Sequence, residues 1–145
     1  MAESVRGKLT VGEIVIVAGG AVALVASFLP WYELEEVLGD DSASAWSSGL
    51  FPLATLVPIL GTIMAVQVLL DRVTGAALPR RLGDFTWEQI HLVAAVVAAV
   101  LVFCYLVVDR RGADLGFGFY LEMLAAAALV AGAVMIRKER PRALP

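Results

Sequence analysis

The feature that most constrains this chain is a set of four apolar runs with few or no charged residues. They cover residues 14–32, 50–70, 90–108 and 115–136. Each run is about 19 to 22 residues long, which lets an α-helix cross a hydrocarbon core of about 30 Å. The chain is 60% hydrophobic, whereas soluble domains average about 45–50% apolar residues. The sequence therefore predicts an all-α membrane protein, an antiparallel bundle of four transmembrane helices.

We expect a single transmembrane domain over residues 1–145, because no segment outside the four runs is long enough to fold separately. The predicted helices cover about 11–31, 49–70, 87–108 and 116–137. The predicted connections are an outer loop at 32–48, an inner loop at 71–86 and an outer turn at 109–115.

The distribution of Lys and Arg predicts the orientation. If the N-terminus lies inside, nine basic residues fall in inner segments, and only Arg110 and Arg111 fall in outer ones. Basic residues near the ends of a span are retained in the cytoplasm. We therefore predict a multi-pass protein of a bacterial plasma membrane with both termini inside. A cleaved signal peptide is the alternative for the first run, but its apolar core exceeds the usual length of about 7 to 15 residues.

The outer loop is acidic and is bracketed by aromatic residues. Two extended runs, 31–38 and 42–46, flank the turn signal at 39–41. This pattern predicts a β-hairpin. Because an isolated hairpin is marginal in water, we expect it to lie on the helix ends, with Trp31, Tyr32 and Trp46 as its anchors. A disordered loop is the alternative.

Small residues recur at a spacing of four on all four predicted helices, which allows membrane helices to approach closely. These rows are Gly19, Ala23 and Ser27; Gly61 and Ala65; Ala94 and Ala98 with Ala95 and Ala99; and Ala128 and Gly132. Two further signals set helix ends. Pro30 ends or kinks the first helix, because its ring clashes with the carbonyl of Ala26. Thr86 and Gln89 have the spacing of a capping box at the start of the third helix.

Glu122 is the most informative polar residue, because it lies about two turns into the fourth helix, where a charge is costly. An intramembrane carboxylate suggests a functional site. It would face the bundle and either relay protons or meet Arg110 or Arg111. The alternative is a helix that begins later, so that Glu122 tilts to the outer interface.

Three further sets of residues are candidates for polar contacts. His91 lies at the same predicted depth as Glu13, and the two are a candidate pH-sensitive pair. Arg110 and Arg111 are candidates to tie the acidic outer loop to the turn between helices three and four. The loop's carboxylates could hold a divalent cation, although a solvated acidic loop is the simpler interpretation. They are Glu33, Glu35, Glu36, Asp40 and Asp41.

The sequence offers no recognisable catalytic, cofactor or metal site. One His and one Cys cannot supply the four ligands of a closed zinc site, and there is no phosphate loop or nucleophile elbow. The basic residues are juxtamembrane and form no groove, so nucleic acid is not an expected partner. We expect a non-enzymatic protein whose partners are membrane lipids and another membrane protein or a second copy.

Four short motifs resemble those of small actinobacterial four-span membrane proteins of unknown function. They are FLPW at 28–31, AWSSG at 45–49, EQI at 88–90 and GFGFYL at 116–121. The resemblance covers nearly the whole chain and implies the four-span topology, with no reaction or ligand. In that group a small residue usually stands at the position of Glu122, so this chain departs from the pattern there. The outer loop also resembles that of claudins, but it lacks the paired cysteines of the claudin loop.

These observations favour an accessory or assembly subunit that packs against other membrane proteins through its small-residue faces. The alternative is an oligomeric subunit of a small transporter or channel. A scaffold should co-purify with a stoichiometric partner, whereas a conductor should self-assemble and support flux in liposomes.

Overall fold

The protein is an antiparallel bundle of four helices with a small β-sheet at each end. The computed structural model describes residues 7–33, 42–75, 78–79, 81–109 and 112–139. The helices are α1 (Val11–Ala26), α2 (Leu53–Leu69), α3 (Trp87–Val107) and α4 (Phe117–Glu139). Neighbours in sequence are neighbours in space, and α1 packs closely on both α2 and α4. Consequently α1 and α3 occupy opposite corners of the bundle.

Three of the helices are long and apolar enough to cross a membrane. They are α3, α4 and the continuous helical segment Leu53–Thr74, which consists of α2 and a π-helical turn at Leu70–Thr74. The fourth helix, α1, is apolar but has only 16 residues, or about 24 Å at 1.5 Å per residue. The prediction of four apolar helices is therefore confirmed, although α1 is shorter than expected.

The short length of α1 follows from the sequence around Pro30. The predicted helix ran to residue 31, but α1 ends at Ala26. The carbonyl of Ala26 accepts from the amide of Leu29 instead of continuing the helix, because the proline ring excludes the next helical turn. A similar correction applies to α2, which begins at Leu53 and not near Gly49, since the amides of Leu50 and Phe51 both donate to Ser47 in a preceding turn.

A three-stranded sheet covers one end of the bundle, which we call the cap end. Its strands are β1 (Tyr32–Glu33), β2 (Ser42–Ala43) and β5 (Asp114–Leu115), in the order β2-β1-β5. The antiparallel pairing of β1 with β2, with Tyr32 opposite Ala43, confirms the predicted hairpin at its described strands. The pairing of β1 with β5 joins the hairpin to the connection between α3 and α4.

The other end of the bundle, which we call the termini end, carries the start of α1 and the end of α4. The backbone amide of Gly12 donates to the carboxylate of Glu139 across 3.1 Å. A two-stranded sheet, β3 (Arg81–Leu82) and β4 (Phe85–Thr86), precedes α3 at this end. Its turn contains Gly83 with a positive φ of 62°. The predicted capping box of Thr86 and Gln89 is confirmed.

Small residues bring α1 close to α2 and α4. A Cβ atom added to Gly20 would collide with the backbone oxygen of Gly61. A Cβ atom added to Gly132 would lie 2.7 Å from the Ile16 side chain and 2.9 Å from the backbone oxygen of Gly12. The small-residue rows read from the sequence therefore lie inside this bundle, where they let the backbones touch.

We predict that Gly132→Val strongly destabilises the protein, because the added side chain must push α1 away from α4. Overpacking of this kind costs about 1–3 kcal/mol or more. Thermal unfolding in detergent measures the loss. Gly49→Ala is the control, since a Cβ atom at Gly49 has nothing within 4 Å. Equal melting temperatures for the two variants would contradict the close α1–α4 contact.

Candidate functional site

Trp31 lies beneath the sheet at the centre of the cap end and has no exposed surface. Its ring packs edge-on against Tyr105 and Phe119, with ring centroids 5.8 and 5.6 Å away. Its indole N–H donates to the carbonyl of Ala26 at 3.3 Å. Trp31 therefore packs the hairpin onto the helix ends from within the core. Because α1 ends at Ala26, the chain turns back and carries Trp31 over the helix ends.

Trp46 occupies a different environment, at the edge of the cap end. It is 42% exposed, stacks on Phe28 with ring centroids 5.6 Å apart, and donates its indole N–H to the Ser27 hydroxyl at 3.0 Å. An amphipathic ring with one apolar face and a satisfied N–H suits a membrane interface. The structure is thus compatible with the expected anchoring role for Trp46.

Two tyrosine hydroxyl groups connect the sheet to the helices. Tyr32 donates to the backbone oxygen of Tyr105 at 2.6 Å, and Tyr105 donates to the backbone oxygen of Leu50 at 2.9 Å. These bonds run from β1 to α3 and from α3 to the turn before α2. The cap end is therefore a hydrogen-bonded unit that links three parts of the chain.

Three of the four short motifs noted in the sequence, FLPW, AWSSG and GFGFYL, meet at this cap, whereas EQI lies in the first turn of α3 at the termini end. The amide of Gly116 donates to Trp31, and the amide of Gly118 donates to Pro30. A Cβ atom at Gly118 would lie 2.7 Å from that of Leu29, so a larger residue would separate the two segments. The AWSSG motif joins these two segments through the amide of Ala45, which donates to the carbonyl of Ser27. The packing of the cap thus accounts for these motif residues.

Glu122 is completely buried on α4. Its helical neighbours on the same face, Phe119 and Ala126, belong to an apolar cluster below the cap. That cluster consists of Trp31, Ala45, Ala54, Val57, Ala98, Val102, Phe119 and Ala126. Among the residues that the structure describes, neither carboxylate oxygen of Glu122 has a hydrogen-bond partner. The alternative in which Glu122 tilts out to the interface is wrong, because α4 already begins at Phe117.

Glu13 lies at the termini end and forms an ion pair that the sequence did not predict. Its Oε1 atom accepts from Nη2 and Nε of Arg72 at 2.7 and 2.9 Å. Its Oε2 atom accepts from the backbone amide of Thr10, whose hydroxyl caps α1 in return. The π-helical turn carries Arg72 beyond the end of α2 to reach α1. Glu13 thus stabilises its own helix start and ties it to α2.

His91 is buried in the first turns of α3 and lines a small cavity together with Glu13. The cavity has a volume of about 20 Å³, and its other lining residues are Gln67, Val68, Asp71, Trp87, Glu88 and Ile136. This volume suffices for one water molecule, and the polar lining offers it partners. The structure therefore brings the predicted pair into one polar pocket, where Arg72 is the ion-pair partner of Glu13.

The remaining predicted contacts lie outside the described residues. These are the contacts of Arg110 and Arg111 and those of the acidic residues Glu35, Glu36, Asp40 and Asp41. Glu33, the described member of the acidic set, is exposed on β1. Within the described ranges, no three His, Cys, Asp or Glu side chains are grouped to hold a metal ion. The link between the hairpin and the α3–α4 connection is visible as backbone pairing of β1 with β5.

No protein-family model matches the chain, and no curated protein sequence matches it. The geometry of the described residues therefore carries the functional argument. It offers two polar features within a largely apolar bundle, the buried Glu122 below the cap and the Glu13–Arg72 pair at the termini end.

We predict that Trp31→Ala destabilises the protein by about 3–5 kcal/mol, the usual cost of removing a buried tryptophan. The variant loses both edge-on ring contacts and the bond to Ala26. Trp46→Ala is the matched control, with a smaller expected loss because Trp46 is partly exposed. Thermal unfolding in detergent measures both. A larger loss for Trp46→Ala would contradict the central position of Trp31.

We predict that Arg72→Met destabilises the protein, because it leaves the buried carboxylate of Glu13 without its charge partner. Breaking a fully buried pair costs about 3–5 kcal/mol. Since 30% of the Arg72 side chain is exposed, water lowers this cost to about 1–3 kcal/mol. The double variant Glu13→Gln/Arg72→Met should recover part of the loss in thermal unfolding. Additive losses would show that the two residues act independently.

Proposed function

We propose that this protein is a multi-pass accessory or assembly subunit of a bacterial plasma membrane, without catalytic activity of its own. It would resemble the small actinobacterial four-span proteins whose short motifs it shares. Its role would be to pack against a partner membrane protein. The alternative is an oligomeric transporter or channel subunit, which should self-assemble and support flux and should not need a stoichiometric partner.

The distribution of charge supports a cytoplasmic location for both termini. All the basic residues that the structure describes belong to segments at the termini end. They are Lys8, Arg72, Arg81, Arg137 and Lys138. Because basic residues are retained on the cytoplasmic side of a membrane, this end would face the cytoplasm and the cap end would face outward.

The unequal burial of the helices supports α3 as the partner-binding helix. Only 22% of the apolar span in α3 is buried within the protein, compared with 44% for the spans of α2 and α4. A ridge of large apolar side chains runs along its exposed side. This α3 ridge consists of Val93, Val96, Val97, Val100, Phe103 and Val107. The small-residue faces expected to bind a partner are used within the bundle, so the α3 ridge is the better candidate.

An apolar groove lies beside this ridge at the termini end. It has a volume of about 310 Å³ and is lined by Leu60, Phe85, Gln89, Ile90, Val93, Ala94 and Val97. β-branched side chains such as those of the ridge are stiff and lose little rotamer freedom on contact. A concave groove beside a rigid ridge is a suitable surface for a transmembrane helix of a partner, whose side chains fill the groove by van der Waals packing.

We predict that Val97→Trp abolishes co-purification of a stoichiometric partner membrane protein in mild detergent, because the indole fills the groove. The control is Val25→Trp on α1, the helix at the opposite corner, where Val25 is 62% exposed. Tagged variants are purified from the native host and analysed by mass spectrometry. Both should unfold near the wild-type temperature, and only Val25→Trp should retain the partner.

Two outcomes would contradict the proposal, the first its assignment of the interface to α3 and the second the accessory-subunit role. Retention of the partner by Val97→Trp together with its loss in Val25→Trp would place the interface on α1. Purification of the wild type as a homo-oligomer that supports ion or solute flux in liposomes would favour the transporter or channel subunit.

A further inference from the structure

We propose that Glu122 is a proton-binding site inside the bundle, at which the carboxyl group holds an exchangeable proton while the protein is folded. This site is independent of the partner surface on α3. The ligand is the proton itself. The proposal rests on the complete burial of Glu122, on the apolar cluster around it and on the lack of a hydrogen-bond partner for either oxygen among the described residues.

Glu122 has no exposed surface, so its ionised form would be a buried charge. Burying an ionised carboxylate without a partner is far more costly than burying the neutral acid. A native structure rarely leaves a buried polar group unsatisfied, and each case requires an explanation. For Glu122 a bound proton removes the charge, which is the largest part of this cost, and leaves a neutral carboxyl group.

The described groups near the level of Glu122 in the bundle offer its carboxylate no charge partner. The described titratable residues at the cap end are Tyr32, Glu33, Cys104, Tyr105, Asp109, Asp114 and Tyr120, of which Tyr120 is exposed on the first turn of α4. The hydroxyl groups of Tyr32 and Tyr105 donate to backbone oxygens. Glu33, Cys104, Asp109 and Asp114 are exposed. The hydroxyl of Thr55, a buried residue in the first turn of α2, donates to the carbonyl of Pro52.

The termini end is too far away to supply a partner. Gly12 lies against Ile136, so Glu13 and Arg72 lie about 14 residues of α4 from Glu122, or about 20 Å along the axis. The pair at the termini end therefore cannot neutralise Glu122. The buried residues that follow Gly19 in α1 are the small ones Gly20, Ala23 and Ala26, and the helix is followed by the buried Ser27.

The access of a proton to Glu122 is closed at both ends of the bundle. The cap with Trp31 closes one end, and a second apolar cluster that includes Ile16, Met64 and Leu129 closes the other. Glycine contacts hold α1 against α2 and α4. No glycine contact of this kind to α3, the least buried helix, is found among the described residues, so we infer that a small displacement of α3 opens a route for a proton to Glu122.

Infrared spectroscopy of the full chain in lipid bilayers tests the proposal directly. At neutral pH the wild type should show the C=O stretch of a protonated carboxylic acid. This band should disappear in Glu122→Gln and remain in the control Glu33→Gln, which alters an exposed carboxylate. In deuterated buffer the band should shift faster than the protein unfolds, because the proton is exchangeable.

A carbodiimide provides a second and independent readout. The acid O–H adds across one C=N bond of the reagent, the proton goes to nitrogen and the oxygen to the central carbon. The resulting adduct rearranges to a stable N-acylurea without a leaving group. Dicyclohexylcarbodiimide, which enters the bilayer, should label Glu122 at neutral pH. A water-soluble carbodiimide should label exposed carboxyl groups and leave Glu122 unmodified.

The variant Glu122→Met separates the proton site from a structural effect. Met has a similar length and no polar atom that requires a partner, so this variant should fold, unfold at or above the wild-type temperature, and lack both the infrared band and the adduct. The proposal is overturned if folded wild type shows no protonated carboxyl band at neutral pH. It is also overturned if the band shifts in deuterated buffer only at the rate of global unfolding, since a trapped proton is not an exchangeable ligand.

Discussion

The close contact of α1 with α2 and α4 is the constraint on which the rest of the structure depends. Lipid tails are as apolar as the helices, so burial of apolar surface cannot by itself hold helices together in a membrane, and close packing must do so. Gly20 against Gly61 and Gly132 against Gly12 let the backbones touch. This packing places α1 centrally between two neighbours and leaves α3, at the opposite corner, the least covered helix.

The shortness of α1 has consequences at both ends of the bundle. Because α1 ends at Ala26, the chain folds back through Pro30, and Trp31 fills the space above the helix ends. At the other end, Glu13 caps α1 and binds Arg72. The π-helical turn extends α2 just far enough to present this arginine. A helix of only 16 residues is thus fixed at each end by contacts from other elements.

The sequence predicted the helices because length, hydropathy, capping and proline signals are local. The capping box at Thr86, the end of α1 before Pro30 and the small-residue rows all follow from neighbouring residues. The sequence could not predict the burial of Trp31, since aromatic residues at an apolar boundary usually mark an interface. Only the turn at Ala26 brings Trp31 into the core. The Arg72–Glu13 pair was missed for the same reason, because its two residues are 59 positions apart.

Glu122 shows how far such local reasoning reaches at the candidate site. The position of Glu122 deep in an apolar run marked this residue as unusual. Whether its side chain points inward or outward depends on where α4 begins and on how α4 is rotated. Contacts of Gly116 and Gly118 with the segment before Trp31 fix both, because they seat the first turn of α4 directly under the cap. The same glycines that complete the cap therefore turn Glu122 into the core, so the stability of the cap and the burial of this carboxyl group are consequences of one packing arrangement.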